Sequence, residues 1–283
     1  MTKHLAYLGP AGTYSEEAAL TYDPQAQLLP FASIAAVASS VESGMAEEGI
    51  VPIENSLEGS VSATLDLLIH ESKLFIRQEF VLAINNYLMA KAGTQIADVK
   101  TIYSHPQPLG QCRRFLERCF PKAQLVASLS TAAAVEEMLA SAVPAAAIAP
   151  RRAAELYGAE ILAGNIQDED CNETRFVVLA KEEHEATGQD KTSLCFYIPE
   201  DRPGTLVEIL QEFSKRGINL AKIESRPSRQ SLGRYFFLID LEGHRDDAIV
   251  AEALEAVKGR TSIFKIFGSY PAATHPPVVR SGS

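Results

Sequence analysis

Four short polar segments in the first two thirds of the chain contain the side chains that could bind or activate a small anionic ligand. They are residues 9–16, 51–61, 103–112 and 172–176. The first three follow predicted strands, and the fourth opens one. Ligands of open α/β sheets bind beyond the carboxyl ends of strands, so these segments are expected to meet at one site.

The first segment, GPAGTYSE, is a glycine-rich turn between a strand and a helix. Gly12 permits close backbone approach to a ligand. Thr13 or Ser15 can cap the helix while its first amides face an anion. A ligand contact through Gly12 and Thr13 is one interpretation, and an ordinary capped turn is the other.

The second segment, VPIENSLEGSV, begins with the end of a predicted strand, and polar residues follow it. Asn55 and Ser56 stand where they can hydrogen-bond a ligand, although turn and capping roles would use the same residues. Glu54 is either a ligand contact or a solvated carboxylate.

The third segment, YSHPQPLGQC, again joins a strand end to a helix start. Ser104 and Gln111 are neutral hydrogen-bonding groups, and His105 is the side chain here that titrates near neutral pH. A histidine in a loop is also a common structural residue, so its role stays open.

The fourth segment, NETRF, offers a hydroxyl at Thr174 and a planar guanidinium at Arg175 that suits a carboxylate. The structural alternatives are an ion pair of Arg175 with Glu173 or Asp170, and a threonine chosen for strand propensity.

The composition is that of an ordinary globular protein, with 283 residues, 46% hydrophobic residues and a formal net charge of −10. The negative charge argues against a nucleic-acid or lipid-binding surface. The N-terminus has no export-signal pattern, and no run of about 18 apolar residues occurs. We expect a soluble cytoplasmic protein with no nucleic-acid or membrane partner.

The four cysteines show no CxxC spacing, and the six histidines form no zinc-ligand pattern. Reduced thiols and no metal site are therefore expected. The sequence also contains no dinucleotide fingerprint and no P-loop, so no cofactor is predicted.

Short apolar strands alternate with helical patterns up to about residue 180, which is typical of an α/β domain with a largely parallel sheet. The predicted strands are residues 5–8, 50–53, 101–103, 145–148 and 176–179. The predicted helices are residues 15–20, 34–43, 62–70, 107–119, 131–141 and 151–157. The polar stretch 181–191 separates residues 1–182 from a second domain at 192–271, and residues 272–283 form a tail.

Together the four segments resemble the prephenate dehydratase family in order, spacing and residue type, over residues 4–182. The family patterns are GPxGT-S, IEN-S-xxG, SHPQ-xxxQC and NxTRF. Tyr14 stands where the family often has Phe. The resemblance implies a two-lobed catalytic domain with the type II periplasmic-binding-protein fold.

The second domain has the strand and helix order βαββαβ of a ferredoxin-like unit, at residues 194–198, 206–213, 218–224, 234–241, 248–257 and 263–267. Its RPGTLV and ESRP segments resemble the phenylalanine-binding form of the ACT domain, with Thr205 in place of the usual Ala. The resemblance implies an effector site formed by Gly204, Thr205, Leu206, Val207, Asn219, Leu220, Glu224, Ser225 and Arg226.

The resemblance implies a hydro-lyase that converts prephenate to phenylpyruvate, carbon dioxide and water without a cofactor, and that is regulated by phenylalanine at the ACT domain. The implied catalytic residues are Thr174, Arg175, Asn55, Ser56, Ser104 and Gln111. The implied substrate contacts are Gly12, Thr13, Glu54, His105 and Phe176. Since ACT sites lie between paired subunits, a homodimer or a tetramer built from dimers is expected.

Two alternatives fit the same sequence. Arogenate differs from prephenate by an amino group in place of the side-chain keto group, and the sequence does not separate the two substrates. A ligand-binding sensor without catalytic activity could use the same two-lobed fold, because fold does not fix function.

Overall fold

The computed structural model describes residues 2–198, 202–228 and 235–273. The chain forms two compact units. One holds the residues up to Val61 together with Val81–Phe176, and the other holds Ser62–Phe80 together with the residues from Val177 onward. The domain limits at residues 182 and 192 stay a prediction. Most of the predicted tail, residues 274–283, and the first residue of the strand predicted at 234–241 lie outside the described residues.

The described chain contains fifteen strands and nine α-helices. The strands are β1 His4–Leu8, β2 Gln27–Phe31, β3 Glu48–Asn55, β4 Gly59–Ser60, β5 Phe75–Ala83, β6 Tyr87–Ala90, β7 Thr101–Ser104, β8 Gln124–Ala127, β9 Ala145–Ala149, β10 Glu160–Ala163, β11 Glu173–Ala180, β12 Asp190–Tyr197, β13 Leu220–Pro227, β14 Tyr235–Glu242 and β15 Ile263–Pro271. The helices are α1 Tyr14–Tyr22, α2 Ile34–Glu42, α3 Ser62–Asp66, α4 Pro106–Gln111, α5 Arg113–Cys119, α6 Thr131–Ala140, α7 Arg151–Tyr157, α8 Thr205–Ser214 and α9 Ala248–Lys258.

The first unit contains two lobes, each built on a sheet. The first lobe is built on the sheet with strand order β2-β1-β3-β11-β5, with β4 beside β3, and the second lobe on the sheet β10-β6-β9-β7-β8. Residues 75–80 of β5 and 177–180 of β11 are counted with the second unit by their contacts. Strands β1 and β7 pair in parallel with both neighbours, whereas β6 pairs antiparallel with β9 and β10. The prediction of a largely parallel sheet is therefore wrong for the second lobe, whose sheet is mixed.

Strand β9 forms the centre of the second lobe, because it is buried along its whole length and lies in the middle of its sheet. Ala145, Ala147 and Ala149 face a cluster with helices α6 and α7, whereas Ala146 and Ile148 face the opposite cluster with Leu116. Side chains of a strand alternate between faces, so a run of small apolar residues lets helices approach both sides closely. This packing fixes the loops at the strand ends.

The helix predicted at residues 107–119 is interrupted at Cys112, which gives α4 and α5. The Gln111 carbonyl accepts a hydrogen bond from Asp168 N at 2.7 Å, and the Asp168 carboxylate accepts from Arg114 N at 3.0 Å. Asp168 thus ends one helix and caps the next. The interruption fixes Gln111 at the end of α4.

The second unit contains the antiparallel sheet β13-β14-β12-β15, with α8 and α9 packed on one face around Leu194, Phe213 and Val257. The predicted order βαββαβ is confirmed in the described residues. Residues 62–80 belong to this unit by their contacts. The helix predicted at 62–70 changes from α to π geometry after Asp66.

The five strands predicted in the first domain are present, and six others were missed: β2, β4, β5, β6, β8 and β10. Four of these, β2, β5, β8 and β10, end their sheets. Edge strands bury fewer side chains, so they lack the apolar run that marks a central strand. Among the described helices, none has both the length and the hydrophobicity that crossing a membrane requires.

Candidate active site

A cavity of about 480 Å³ lies within the first unit and is formed by residues of both lobes. Its described wall contains no lysine, arginine, aspartate or glutamate. The lining residues are Leu8, Gly9, Thr13, Tyr14, Ser15, Ala32, Pro52, Asn55, Val61, Ile84, His105, Gln107, Pro108, Gln111, Leu129, Ser130, Thr131, Thr174 and Phe176. Six predicted site residues are among them: Thr13, Asn55, His105, Gln111, Thr174 and Phe176.

Asn55 joins the second and fourth predicted segments. Its Nδ2 donates to Asn172 Oδ1 at 2.8 Å and to Thr174 Oγ1 at 2.9 Å, and it also lies 3.1 Å from the Glu173 carbonyl. Its Oδ1 accepts from the backbone N–H groups of residues 57 and 58 at 3.0 and 3.1 Å. Both ends of the amide are used, so its orientation is fixed by hydrogen bonding.

Ser56 ties the same loop to strand β11. Ser56 N donates to the Glu173 carbonyl at 2.8 Å, Glu173 N donates to Ser56 Oγ at 3.0 Å, and Ser56 Oγ donates to the Cys171 carbonyl at 2.9 Å. Ser56 is not among the cavity-lining residues. Its contacts position the loop that carries Asn55.

The hydrogen-bond chain continues from Asn55 to the third segment. Asn172 Nδ2 donates to Gln111 Oε1 at 2.9 Å, so the Gln111 side chain is held by its oxygen. Gln111 Nε2 is buried at the cavity and has no hydrogen-bond partner among the described residues. A buried amide donor without a partner is costly, and a ligand oxygen in the cavity would supply the partner.

Two other predicted residues of the third segment have different positions: Ser104 is buried in the sheet, and His105 lines the cavity. Ser104 is fully buried, and its hydroxyl donates to the Ile148 carbonyl at 2.7 Å, so it links neighbouring strands. His105 lines the cavity, and its Nδ1 accepts from Gln107 N at 3.4 Å. Cys112 is a neutral thiol, because burial, with a smaller effect of Asp168, raises its pKa to about 12.

The glycine-rich turn contacts protein rather than the cavity at Gly12. Gly12 N donates to Glu16 Oε2 at 2.7 Å, and Arg152 Nε donates to the same oxygen at 3.2 Å. With φ at +81°, Gly12 also lies so close to Tyr157 and Ala132 that a Cβ would contact both. Close approach is the reason for this glycine, but the approach is to the second lobe.

Tyr14 lines the cavity and was not predicted as a site residue. Its hydroxyl lies 2.9 Å from both the Asn85 carbonyl and Asn86 Oδ1, in the segment between β5 and β6. Burial, with a smaller contribution from Glu17, raises the Tyr14 pKa well above its usual value, so the hydroxyl remains a neutral donor. A phenylalanine here could not form this bond.

Arg175 does not stand among the cavity-lining residues. Its Nη2 lies 3.0 Å from Glu54 Oε2, and the Arg175 side chain is 13% exposed while that of Glu54 is 34% exposed. The prediction that Arg175 offers its guanidinium to a ligand carboxylate is not tested by this contact and stays a prediction. The ion pair joins β11 to β3, and its partner is Glu54, not the Glu173 or Asp170 considered from sequence.

Three lining residues were not predicted as site residues, namely Leu129, Ser130 and Thr131, which follow β8 and begin α6 at the cavity. Strand β8 is a short, mostly exposed edge strand, so its end was not recognised as a place for ligand contacts. The available signal was Ser130, a typical N-cap residue before the helix that was predicted there.

The nine residues predicted to bind an effector lie in the second unit, before and within the first turn of α8, before and at the start of β13, and near its end. Val207 is exposed, and Asn219 Nδ2 donates to Glu242 Oε1 at 2.8 Å. Thr205 Oγ1 is buried without a hydrogen-bond partner in the described chain.

Arg226, the last of these residues, contacts helix α3 in the same unit. Its Nη2 lies 3.1 Å from Asp66 Oδ1, and its Nη1 lies 3.4 Å from Ser62 Oγ and 3.5 Å from Glu224 Oε1.

Within the described residues, no group of three or more His, Cys, Asp or Glu side chains could hold a metal ion.

Comparison with known proteins gives one family over most of the chain. The sequence model of the family described as prephenate dehydratase matches residues 5–184, and that of the ACT domain matches residues 196–259. A bifunctional chorismate mutase/prephenate dehydratase of Aquifex aeolicus is 43% identical over 95% of this chain and 74% of that protein. A prephenate dehydratase of Lactococcus lactis is 38% identical over 94% of this chain and 96% of that protein.

A solved structure agrees with these sequence relatives. The prephenate dehydratase of Arthrobacter aurescens, crystallised in complex with L-Phe, is similar with a TM-score of 0.88 and 37% identity. The similarity covers 95% of this chain and 90% of that one.

Replacing Asn55 by Asp tests whether its donated hydrogen bonds hold the site together. The new oxygen would face the acceptors Asn172 Oδ1 and Glu173 O, so its charged form is destabilised and its pKa is raised in the folded state. A raised folded pKa means that the variant loses stability as pH rises through that pKa. We expect its deficit relative to wild type to be larger by about 1–3 kcal/mol at about pH 8 than at about pH 4.

Urea unfolding at both pH values measures this difference. Asn165→Asp, at an exposed position, is the matched control and should show no such pH dependence. Equal deficits for Asn55→Asp at the two pH values would contradict the assigned hydrogen bonds.

Proposed function

We propose how this chain, which belongs to the prephenate dehydratase family, carries out its reaction with its own residues. The protein is a prephenate dehydratase, a hydro-lyase, with an ACT regulatory domain. In the reaction, the bond from the ring to its carboxylate breaks, and carbon dioxide leaves. The electron pair enters the ring and expels the hydroxyl at the opposite ring position, which takes up a proton and leaves as water.

Thr174 is the residue that we assign to the departing hydroxyl, and its hydrogen bond with Asn55 carries the assignment. Asn55 Nδ2 donates to Thr174 Oγ1, so the oxygen accepts and the hydroxyl proton remains to be donated. Thr174 is only 8% exposed, lines the cavity and has no other hydrogen bond in the described structure. We infer that its proton is directed to the leaving oxygen.

The polarised amide of Asn55 supports this role. Two backbone N–H groups donate to its Oδ1, and hydrogen bonds in such a chain strengthen one another. An alcohol is about as weak an acid as water, so transfer to the leaving oxygen takes place as the carbon–oxygen bond breaks. Asn55 then stabilises the threonine oxygen, which regains a proton from solvent.

The remaining wall supports binding without fixed charge. Gln111 Nε2 is a buried donor without a described partner and is suited to a substrate oxygen. Leu8, Val61, Ile84 and Phe176 give the cavity apolar wall. A ring carboxylate against such a wall is poorly solvated, which favours its loss as neutral carbon dioxide.

The charge of the wall favours prephenate over arogenate. Arogenate carries an ammonium group on its side chain, and a buried ammonium needs a carboxylate partner. No aspartate or glutamate is found among the described residues that line the cavity. A keto group needs only a hydrogen-bond donor, so we propose prephenate as the preferred substrate.

Replacing Thr174 by Val should remove the donated proton while conserving side-chain shape. We expect kcat for phenylpyruvate formation from prephenate to fall by about 10²- to 10⁴-fold, with KM changed only a few-fold, because the hydrogen bond matters most as the bond breaks. Thr174→Ser should retain most of the activity.

Thr101→Val is the matched control, because Thr101 is a buried strand residue that does not line the cavity. It should keep wild-type kcat. If Thr174→Val and wild type turn over prephenate equally, the role of Thr174 is excluded. Turnover of arogenate but not prephenate would reverse the substrate choice, and turnover of neither would leave a ligand-binding sensor.

We propose L-phenylalanine as the effector of the ACT domain. The relative from Arthrobacter aurescens was crystallised with L-Phe, which supports the proposal, and the predicted contacts lie around the first turn of α8 and along β13. The homodimer or tetramer and the cytoplasmic location stay predictions.

Replacing Val207 by Asp tests the effector site at an exposed position. The charge would oppose the apolar ring of phenylalanine, so we expect binding at least tenfold weaker, which corresponds to about 1.4 kcal/mol. Ile249→Asp is the matched control, because both side chains are 57% exposed in the first turn of an ACT-domain helix. Calorimetry should show unchanged affinity for Ile249→Asp, and equal affinities for the two variants would contradict the assignment.

Helix α3 contacts the predicted effector strand β13 within the second unit. Arg226 at the end of β13 pairs with Asp66 on α3, and α3 begins directly after Val61, which lines the cavity. We propose that effector binding at β13 acts on the cavity through this ion pair.

Asp66→Asn should separate effector binding from the response to it. We expect phenylalanine affinity to stay within about threefold of wild type, while the effect of saturating phenylalanine on turnover falls by about half or more, since couplings of this kind are typically worth 1–3 kcal/mol. Calorimetry and steady-state kinetics measure the two quantities. Glu255→Gln, which removes an exposed ion pair with Lys258, is the control. An unchanged response in Asp66→Asn would exclude this route.

A further inference from the structure

The start of helix α6 is a second ligand-binding element of the cavity. Ser130 and Thr131 line the cavity, and Ser130 Oγ accepts a hydrogen bond from Ala133 N at 3.0 Å. The N–H groups of Thr131 and Ala132, the first two of the helix, have no acceptor within the helix. We propose that this helix start binds the carboxylate of the substrate's pyruvyl side chain, an inference that rests on the proposed function.

The Thr131 side chain points independently to a ligand. Thr131 is only 7% exposed, and its hydroxyl has no hydrogen-bond partner in the described parts of the chain. Because the side chain is otherwise buried and lines the cavity, this hydroxyl is placed to bind something that enters the cavity. The hydroxyl and the N–H groups of the helix start are the donors that we assign to the anion.

The other helix starts at the cavity are less suited to an anion. Helix α1 has Glu16 and Glu17 in its first turn, and Glu16 already accepts from Gly12 N. Helix α4 has only six residues, and its Gln107 N–H donates to His105 Nδ1. Helix α6 has ten residues and no acidic residue in its first turn.

The absence of fixed charge makes this helix start important for a dianionic substrate. No lysine or arginine lines the described cavity, and Arg175 pairs with Glu54. A helix N-terminus acts as roughly half a positive charge, and its N–H groups point at the anion. It therefore supplies attraction that the cavity's side chains do not.

The chemistry of the substrate decides which carboxylate binds here. Stabilising the charge of the ring carboxylate would stabilise the ground state and oppose its loss. The side-chain carboxylate keeps its charge through to the product, so its binding has no such cost. With the hydroxyl end of the ring at Thr174 in the first lobe, the side chain extends toward Thr131 in the second.

Thr131→Val and Thr131→Ser test the subsite with prephenate and with phenylpyruvate, the product that retains only the side-chain carboxylate. In Thr131→Val we expect KM and the inhibition constant of phenylpyruvate to rise together by about ten- to a hundredfold, with kcat within about twofold. Thr131→Ser should stay within about threefold of wild type, because it keeps the hydroxyl.

A rise in KM with an unchanged phenylpyruvate constant would overturn the assignment, as would no change in either. Direct calorimetry of phenylpyruvate binding separates the two proposals. If wild type does not turn over prephenate, the proposed function fails, but weaker phenylpyruvate binding by Thr131→Val alone would still support the carboxylate subsite. If wild-type protein does not bind phenylpyruvate, or Thr131→Ser binds as weakly as Thr131→Val, the subsite is excluded.

Discussion

The side-chain amide of Asn55 is the interaction on which the cavity depends. Its nitrogen holds Asn172 and Thr174, and its oxygen holds the backbone of residues 57 and 58. Asn172 in turn donates a hydrogen bond to Gln111, which belongs to the second lobe. One amide thus orders residues more than 100 positions apart, and it leaves Thr174 Oγ1 accepting. The hydroxyl proton is then available to substrate for a structural reason.

The second constraint is electrostatic. The protein carries a net charge of −10, and its proposed substrate is a dianion, yet the described cavity wall contains no cationic arginine or lysine. The arrangement suits the reaction, because strong pairing of the departing carboxylate would oppose decarboxylation. Neutral amides, hydroxyls and a helix start can hold the permanent carboxylate instead. The guanidinium of Arg175 pairs with Glu54.

The route that we propose for regulation depends on the way the chain is divided into units. Residues 62–80 belong by contacts with the C-terminal unit, although they lie in sequence within the catalytic domain. Lys265 Nζ donates to the Leu68 and Ser72 carbonyls at 2.5 and 2.7 Å, and Arg226 pairs with Asp66. These bonds tie the π-helical end and the start of this segment to the sheet of the ACT domain. The segment is therefore suited to transmit a change in that sheet.

The sequence by itself determined the family, the positions of Asn55 and Thr174 at the ends of strands, and the βαββαβ order, because motif spacing and hydrophobic periodicity are local properties. The tertiary structure alone decided the contacts of Gly12, which packs against the second lobe, and of Arg175, whose partner lies more than 100 residues away. It also brought Tyr14 and Thr131 to the cavity. Contacts between distant segments leave no periodic signal in the sequence. Strand β8 is short and exposed at the edge of its sheet, so the cavity-lining loop after it was not predicted as part of the site.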